Sequence, residues 1–448
     1  MNNDMTSKSE WKAILFFSIP IMGSQLLQMF YNLADSIIVG NFVGSNGLGA
    51  VGVTSSASWL LLNLVTGLSS GASIVISQYI GASRKDDISA TVSTTFTFSI
   101  FLSFAVTALC FIFANSLIIG FLGTPVEMQA EAYSYFVIYS LGIIFQMIYN
   151  VTYGILRAYG DSKGSLLFLL VAAILNVALD LVFVIFFKWG VAGAAAATII
   201  SQAGSAVASS IYMWHKLPDL RLNKIKWVFD MEKLKIVLKL AVPIVIQSSI
   251  IAFGFIILQR LVNSFGPASI EGYFVLSRVE QILHIPSNSF NIALSSFTGQ
   301  NIGAGNIDRI KKGYKSTLYM GCLISAVLII LMLFTGKSWI SWFNVSPEAS
   351  KRGVEHLNVL ASFMIINTAH NITVGLLQGA GDVKIPAIAG FINLSVRLVV
   401  SYAMAATAID YRSIFYSIPF AWISAFAITI GRYRSGKWQN KSVIQQTE

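Results

Sequence analysis

The run SLLFLLVAAILNVALDLVFVIFF, residues 165–187, carries one charge, Asp180, and no period-2 alternation. About 20 consecutive apolar residues suffice to cross a bilayer as a helix. Backbone in hydrocarbon must satisfy its own hydrogen bonds, so only helices and closed barrels span, and a barrel strand would alternate. Similar runs recur along the whole chain, which is 55% hydrophobic and only 11% charged, against about 25% charged in soluble domains. The expected fold is an all-α integral membrane protein.

Apolar length places about twelve transmembrane helices. They lie near 13–38, 50–77, 91–118, 132–156, 165–187 and 191–213, then 237–263, 270–297, 314–336, 355–377, 386–408 and 413–431. The first run is long and carries Gln25, Gln28, Asn32 and Asp35, unlike a cleaved leader, and is expected to stay in the membrane. The net charge of +10 reads as cytoplasmic loops rich in Lys and Arg, not as nucleic-acid binding. With both termini cytoplasmic, most of the 30 Lys and Arg fall inside, and the outer loops keep Lys188, Lys337, Lys351, Arg352 and Arg412. Cys110 and Cys322 sit far apart in apolar runs, as inert thiols would. No GxxxxGK[ST] loop occurs, which excludes ATP as an energy source within this chain.

The chain repeats itself. SIPIMGSQ (18–25) returns as AVPIVIQS (241–248), SQYIGASRKDDI (77–88) as GQNIGAGNIDRI (299–310), and GILRAYGDSK (154–163) as GLLQGAGDVK (375–384), at offsets of 223, 222 and 221 residues. Residues 1–214 are expected to form an N-terminal six-helix lobe and 237–448 a C-terminal one with a basic cytoplasmic tail. Residues 215–236 are the basic cytoplasmic linker. Six spans per half make the repeats parallel, related by a pseudo-two-fold axis along the membrane normal, and in such folds the site lies between the halves. In the repeated loops, Gly81, Gly160, Gly303 and Gly381 would end helices or turn at positive φ, and Asp161 and Asp382 would cap the helices that follow.

Three acids fall well inside spans, Asp35, Asp180 and Glu280, and three bases, Arg260, Arg278 and Arg397. The first half holds two of the acids and none of the bases, which favours a cation or proton there. Gln28, Asn32 and Asp35 share one helix face, as do Asn176 and Asp180, and Thr198 in the next span offers a hydroxyl. Asp35, Asn176, Asp180 and Thr198 together would suit Na⁺ or a proton shared between the carboxylates; the alternative for each polar group is interhelical packing. Weaker candidates are Tyr135 and Tyr139, Asn150, and Glu280, which has His284 one turn on and arginines in its half. No cofactor is expected beyond the coupling ion.

This arrangement resembles the multidrug and toxic compound extrusion (MATE) transporters. The likeness covers essentially the whole chain and rests on the two halves, the prolines of spans one and seven, the pairs QYIGA/QNIGA and ILRAYGD/LLQGAGD, and SRVEQ (277–281). It implies export of bulky, often cationic or aromatic compounds driven by entry of Na⁺ or H⁺ through alternating access. It further implies that Gln28, Asp35, Asn176, Asp180 and Thr198 stand at a first-lobe cation site, with Tyr135 a weaker match. Acids that other members carry in spans seven and ten are absent here, where Gln247, Gln259, Arg260, His370 and Asn371 stand instead.

The leading expectation is a monomeric, cation-coupled exporter of small lipophilic or cationic substrates in a bacterial inner membrane. A flippase for lipid-linked oligosaccharides, using Arg260, Arg278 and Arg397 on a pyrophosphate, is the alternative. A membrane-embedded enzyme ranks last, since the only paired acids, Asp86 and Asp87, sit in a loop.

Overall fold

The computed structural model describes residues 5–221, 227–341, 345–407 and 409–444. Part of the expected linker, 222–226, and the end of the basic tail, 445–448, lie outside the described residues. The helices are α1 (Glu10–Phe42), α2 (Ser45–Gly81), α3 (Lys85–Asn115), α4 (Val126–Leu141), α5 (Ile143–Ala158), α6 (Lys163–Asp180) and α7 (Gly190–Lys216). They continue with α8 (Met231–Ser264), α9 (Pro267–Gly303), α10 (Ile307–Ser341), α11 (Pro347–Gly379), α12 (Lys384–Ala405) and α13 (Ser413–Arg434). Among the described residues ten helices are long and apolar enough to cross a membrane, and the pair α4–α5 adds an eleventh. Helix α9, at 37 residues, is as long as α2 but more polar. The expected fourth span is therefore not one straight helix. It bends by 46° at Gly142, between two 16-residue helices. Two other spans end in π-helical segments, Ser116–Phe121 after α3 and Leu181–Phe186 after α6.

Packing divides the chain into two compact units, Pro20–Val245 and Met1–Ile19 with Ile246–Glu448. These units are offset from the sequence halves, because α1 and α8 each belong to both. The first turns of α8 pack within the Pro20–Val245 unit, where Gly71 of α2 lets the Ala241 backbone approach: a Cβ on Gly71 would stand 2.9 Å from the Ala241 Cα. The first turns of α1 bury Ile14, Phe17 and Ser18 in the other unit.

Inside each unit the repeat builds the same crossing. Gly154 of α5 lies on Ser69 of α2, whose hydroxyl donates to the Asn150 carbonyl. The counterpart is Gly375 of α11 on Asn291 of α9, whose amide donates to the Asn371 carbonyl at 2.7 Å. Small residues let helix backbones meet where lipid offers no hydrophobic drive for association. Asn150 accordingly belongs to this joint, with its own amide turned onto the Gln146 carbonyl at 2.9 Å.

The loop glycines divide. Gly160 and Gly381 turn at φ 78° and 89°, as expected. Gly81 and Gly303 close their helices instead, and the left-handed residue comes two positions later, at Ser83 and Gly305. Asp161 does cap α6, accepting from the Gly164 N–H at 3.2 Å, but it is also ion-paired with Lys216 at 2.6 Å. Its repeat Asp382 pairs with Arg432 at 2.5 Å. Each aspartate thus ties the start of one helix to the end of the next.

A Cβ on Gly375 would stand 2.4 Å from the Asn291 carbonyl oxygen, so it must push backbone from backbone. Gly375→Ala should cost about 1–3 kcal/mol, read as a lowered Tm in detergent. Gly431→Ala, with nothing within 4 Å of the added methyl, should leave Tm unchanged.

Candidate functional site

The two first-half carboxylates come together within the Pro20–Val245 unit. Asp35 stands on α1 and Asp180 is the last residue of α6, where the helix passes into its π-helical segment. Their carboxyl groups stand close enough to interact directly. Each also keeps a buried Oδ1 with no hydrogen-bond donor. Among the described residues no lysine or arginine is ion-paired with either.

The surrounding groups are neutral oxygens and amides. Asn176, one turn before Asp180 and fully buried, satisfies both ends of its amide when it donates to Asp180 Oδ2 at 3.0 Å and accepts from the Thr198 N–H at 3.3 Å. The Thr198 hydroxyl, on α7, donates to the Ala194 carbonyl at 3.0 Å. Tyr31, one turn before Asp35, lies near Thr198. Tyr135 and Tyr139 of α4 stack with ring centres 6.0 Å apart, and Gln146 of α5 donates to the Tyr139 hydroxyl at 2.7 Å. Both Asp35 and Asp180 lie within electrostatic range of the Tyr31 and Tyr135 hydroxyls.

Two carboxyl groups held in contact in an apolar interior repel unless something positive lies between them. A shared proton or one monovalent cation meets that need, and the neutral oxygens of Asn176, Thr198 and Tyr31 suit either. Among the described residues no cluster of three or more His, Cys, Asp or Glu side chains stands ready for a metal.

Sequence spacing grouped Gln28 with Asp35, but Gln28 and Asn32 are exposed, and no described contact joins them to the carboxyl pair. Seven residues put Gln28 on the same face but about 10 Å away along the axis. Tyr31 was the residue missed; its i, i+4 relation to Asp35 and its long side chain were the available signal. Asn150 belongs to the α2–α5 joint. Glu280 lies in the other unit, in a separate polar cluster. It accepts from or donates to His284 at 3.3 Å, His284 meets the Asn367 amide at 3.0 Å, and Arg397 is within electrostatic range. Arg397 is buried, whereas Arg260 and Arg278 are exposed.

The repeat shows why the pair is confined to one half. Carried forward by the repeat offsets, Tyr31 and Asp35 fall on Gly254 and Leu258, and Asn176 and Asp180 fall on Arg397 and Ser401. Leu258 is buried, and Ser401 spends its hydroxyl on Ser417 at 2.7 Å. The second half has replaced every acidic member.

Repeated halves built of helices long and apolar enough to span a bilayer make this a multi-pass membrane protein. The chain belongs to the MatE family, whose pattern matches residues 20–182 and again 243–403, once in each half. Over 441 residues it is 30% identical to the probable multidrug resistance protein YpnP of Bacillus subtilis, covering 97% of each chain. Among solved structures it is similar to a MATE protein in complex with MaL6, at TM-score 0.91 and 22% identity over 98% of this chain and 99% of that one. It is also similar to a MOP superfamily transporter from Pyrococcus furiosus, at TM-score 0.89 and 22% identity over 97% and 98%. The chain is thus a member of a multidrug-efflux transporter family, and its family and relatives are transporters rather than enzymes.

Tyr31→Phe removes the hydroxyl that lies within electrostatic range of both carboxyl groups and should lower dye efflux severalfold with Tm unchanged. Gln28→Ala should leave efflux close to that of the unaltered protein.

Proposed function

We propose that the protein exports small lipophilic or cationic compounds by antiport against Na⁺ or H⁺. The observation that carries this is the close approach of Asp35, half-buried, to Asp180, fully buried, each with a buried Oδ1 that takes no donor and, among the described residues, neither ion-paired with a base. An ion can drive a conformational change only by binding one state more tightly than another. The pair supplies that difference: it is drawn together when a proton or Na⁺ bridges it and repels when the bridge leaves. Because Asp35 and Asp180 sit on α1 and α6, their approach and separation move those helices. Asn176 holds the Asp180 carboxyl in place, and Tyr31 and Thr198 supply neutral oxygens to a cation or to the protonated form.

The support for a multidrug substrate is the MatE match and the likeness to YpnP. A bacterial plasma membrane location with cytoplasmic termini follows the loop distribution of Lys and Arg, and action as a monomer is part of the same reading. For the lipid-pyrophosphate alternative, Arg397 is buried, while Arg278 lies on Phe274, 5.1 Å from its ring centre, and is exposed.

The test is dye efflux from proteoliposomes under an imposed Na⁺ gradient or an imposed pH gradient, each applied alone. One gradient should drive efflux, and Asp35→Asn/Asp180→Asn should abolish it while the protein still elutes as a single folded species. Gradient-driven efflux by that double variant would sink the proposal.

A further inference from the structure

The segments that precede α1 and α8 are fastened down in matching ways. Before α1, the Met5 N–H donates to Gln300 Oε1 at 3.1 Å, and the Met5 carbonyl accepts from Asn301 Nδ2 and Arg309 Nη2, both at 3.2 Å. Arg309 also donates to the Lys8 carbonyl, and its guanidinium stands 3.5 Å from the Glu10 carboxylate. All of these residues lie in one compact unit. Before α8, the Val228 carbonyl accepts from the Ser93 and Thr94 hydroxyls at 2.9 and 3.2 Å, and the Asp230 N–H donates to Thr94 at 2.9 Å. Lys233 reaches Asp87 at 2.5 Å and the Tyr79 hydroxyl at 3.2 Å, all inside the other unit.

The repeat offsets turn this likeness into a correspondence. An offset of 223 carries Met5 onto Val228 and Glu10 onto Lys233, and an offset of 222 carries Asp87 onto Arg309. The two straps therefore make the same ion pair with its sign inverted: Glu10–Arg309 in one unit, Lys233–Asp87 in the other. In both, the strap comes from one sequence half and its cradle from the other half. Lys233 is the informative member. A cation in the first turn of a helix opposes the helix dipole, whereas Glu10 in the first turn of α1 suits it. Helix stability does not account for Lys233; its pairing with Asp87 does.

We propose that Glu10, Arg309, Lys233 and Asp87 are positioning residues, a matched pair of permanent anchors whose opposite polarity directs each strap to its own cradle. Were the α1 strap to meet the other cradle, Glu10 would face Asp87; were the α8 strap misplaced, Lys233 would face Arg309. Like charges brought together disfavour the wrong docking more than the right pairs strengthen the correct one. Since α1 carries Asp35, the anchor fixes one end of the helix whose other part holds the carboxyl pair. The anchors stay closed while the protein works.

The pairing is tested by charge reversal in the full-length protein. Arg309→Glu should lower Tm, and adding Glu10→Lys should restore it; Asp87→Lys and Lys233→Glu should behave alike as a second cycle. Doubles no more stable than their singles would overturn the pairing. Permanence is tested with Glu10→Cys/Arg309→Cys and Asp87→Cys/Lys233→Cys in a Cys110→Ala/Cys322→Ala background, bridged by a short bis-methanethiosulfonate and released with dithiothreitol. Bridging should form in both pairs and leave dye efflux intact. Failure to bridge, or loss of efflux that reductant reverses, would overturn the anchors. The efflux readout rests on the export function proposed above, so the Cys110→Ala/Cys322→Ala protein with its anchors intact is assayed first, and its inactivity would count against that function instead.

Discussion

A backbone group in hydrocarbon has no water to fall back on, and that constraint organises this protein. It forces long uninterrupted helices and makes each interruption costly, since an unsatisfied N–H or C=O in lipid costs several kcal/mol. Two of the interruptions fall on helices that line the carboxyl pair. Asp180 stands at the passage from α6 into the π-helical Leu181–Phe186. Gly142, where α4 turns into α5, separates Tyr139 from Gln146, which meet again through a 2.7 Å hydrogen bond. Single-turn π segments occur often at functional sites because they re-aim a side chain without freeing the whole ladder. Here one ends the helix that presents Asn176 and Asp180.

Much of this was legible in the chain. Apolar length located the spans, the three repeated motifs located the halves, and counting deep charges singled out Asp35 and Asp180. These signals survive because a bilayer penalises polarity residue by residue, so each exception is visible locally. Hydropathy located the fourth span but not its bend, because it reports length and greasiness and Gly142 lowers neither. Tyr31 stayed hidden because tyrosine in a membrane helix ordinarily packs or anchors at an interface. Gln28 was grouped with Asp35 because helical spacing fixes direction around an axis but not reach along it. Gly81 and Gly303 end their helices as expected, and the left-handed turn comes two residues later, at Ser83 and Gly305.

The compact units also depart from the sequence halves, for a reason written in the packing of small residues. Gly71 opens a seat for Ala241, and the first turns of α8 take it. The chain then passes between the units twice, within α1 and within α8, beside Pro20 and Pro243. Proline inside a helix removes one backbone hydrogen bond and bends the axis. A helix that must serve two packed bodies can accommodate that loss where it leaves the first and enters the second.

The duplicated halves have diverged in two physically distinct ways. At the carboxyl pair the second half has lost its acids, with Leu258 standing opposite Asp35 and Ser401 opposite Asp180. Burying a second acidic pair would carry the same desolvation penalty again, about 2.5–3.5 kcal/mol per charge on insertion scales. At the straps the charge is kept and its sign reversed, Glu10 against Lys233 and Arg309 against Asp87. Those groups lie near helix ends, where partial hydration makes a charge affordable and a mismatch is still penalised. Depth in the membrane thus decides which kind of divergence a position tolerates. Deep carboxylates are costly to duplicate, while charges near the helix ends remain available to tell one half from the other.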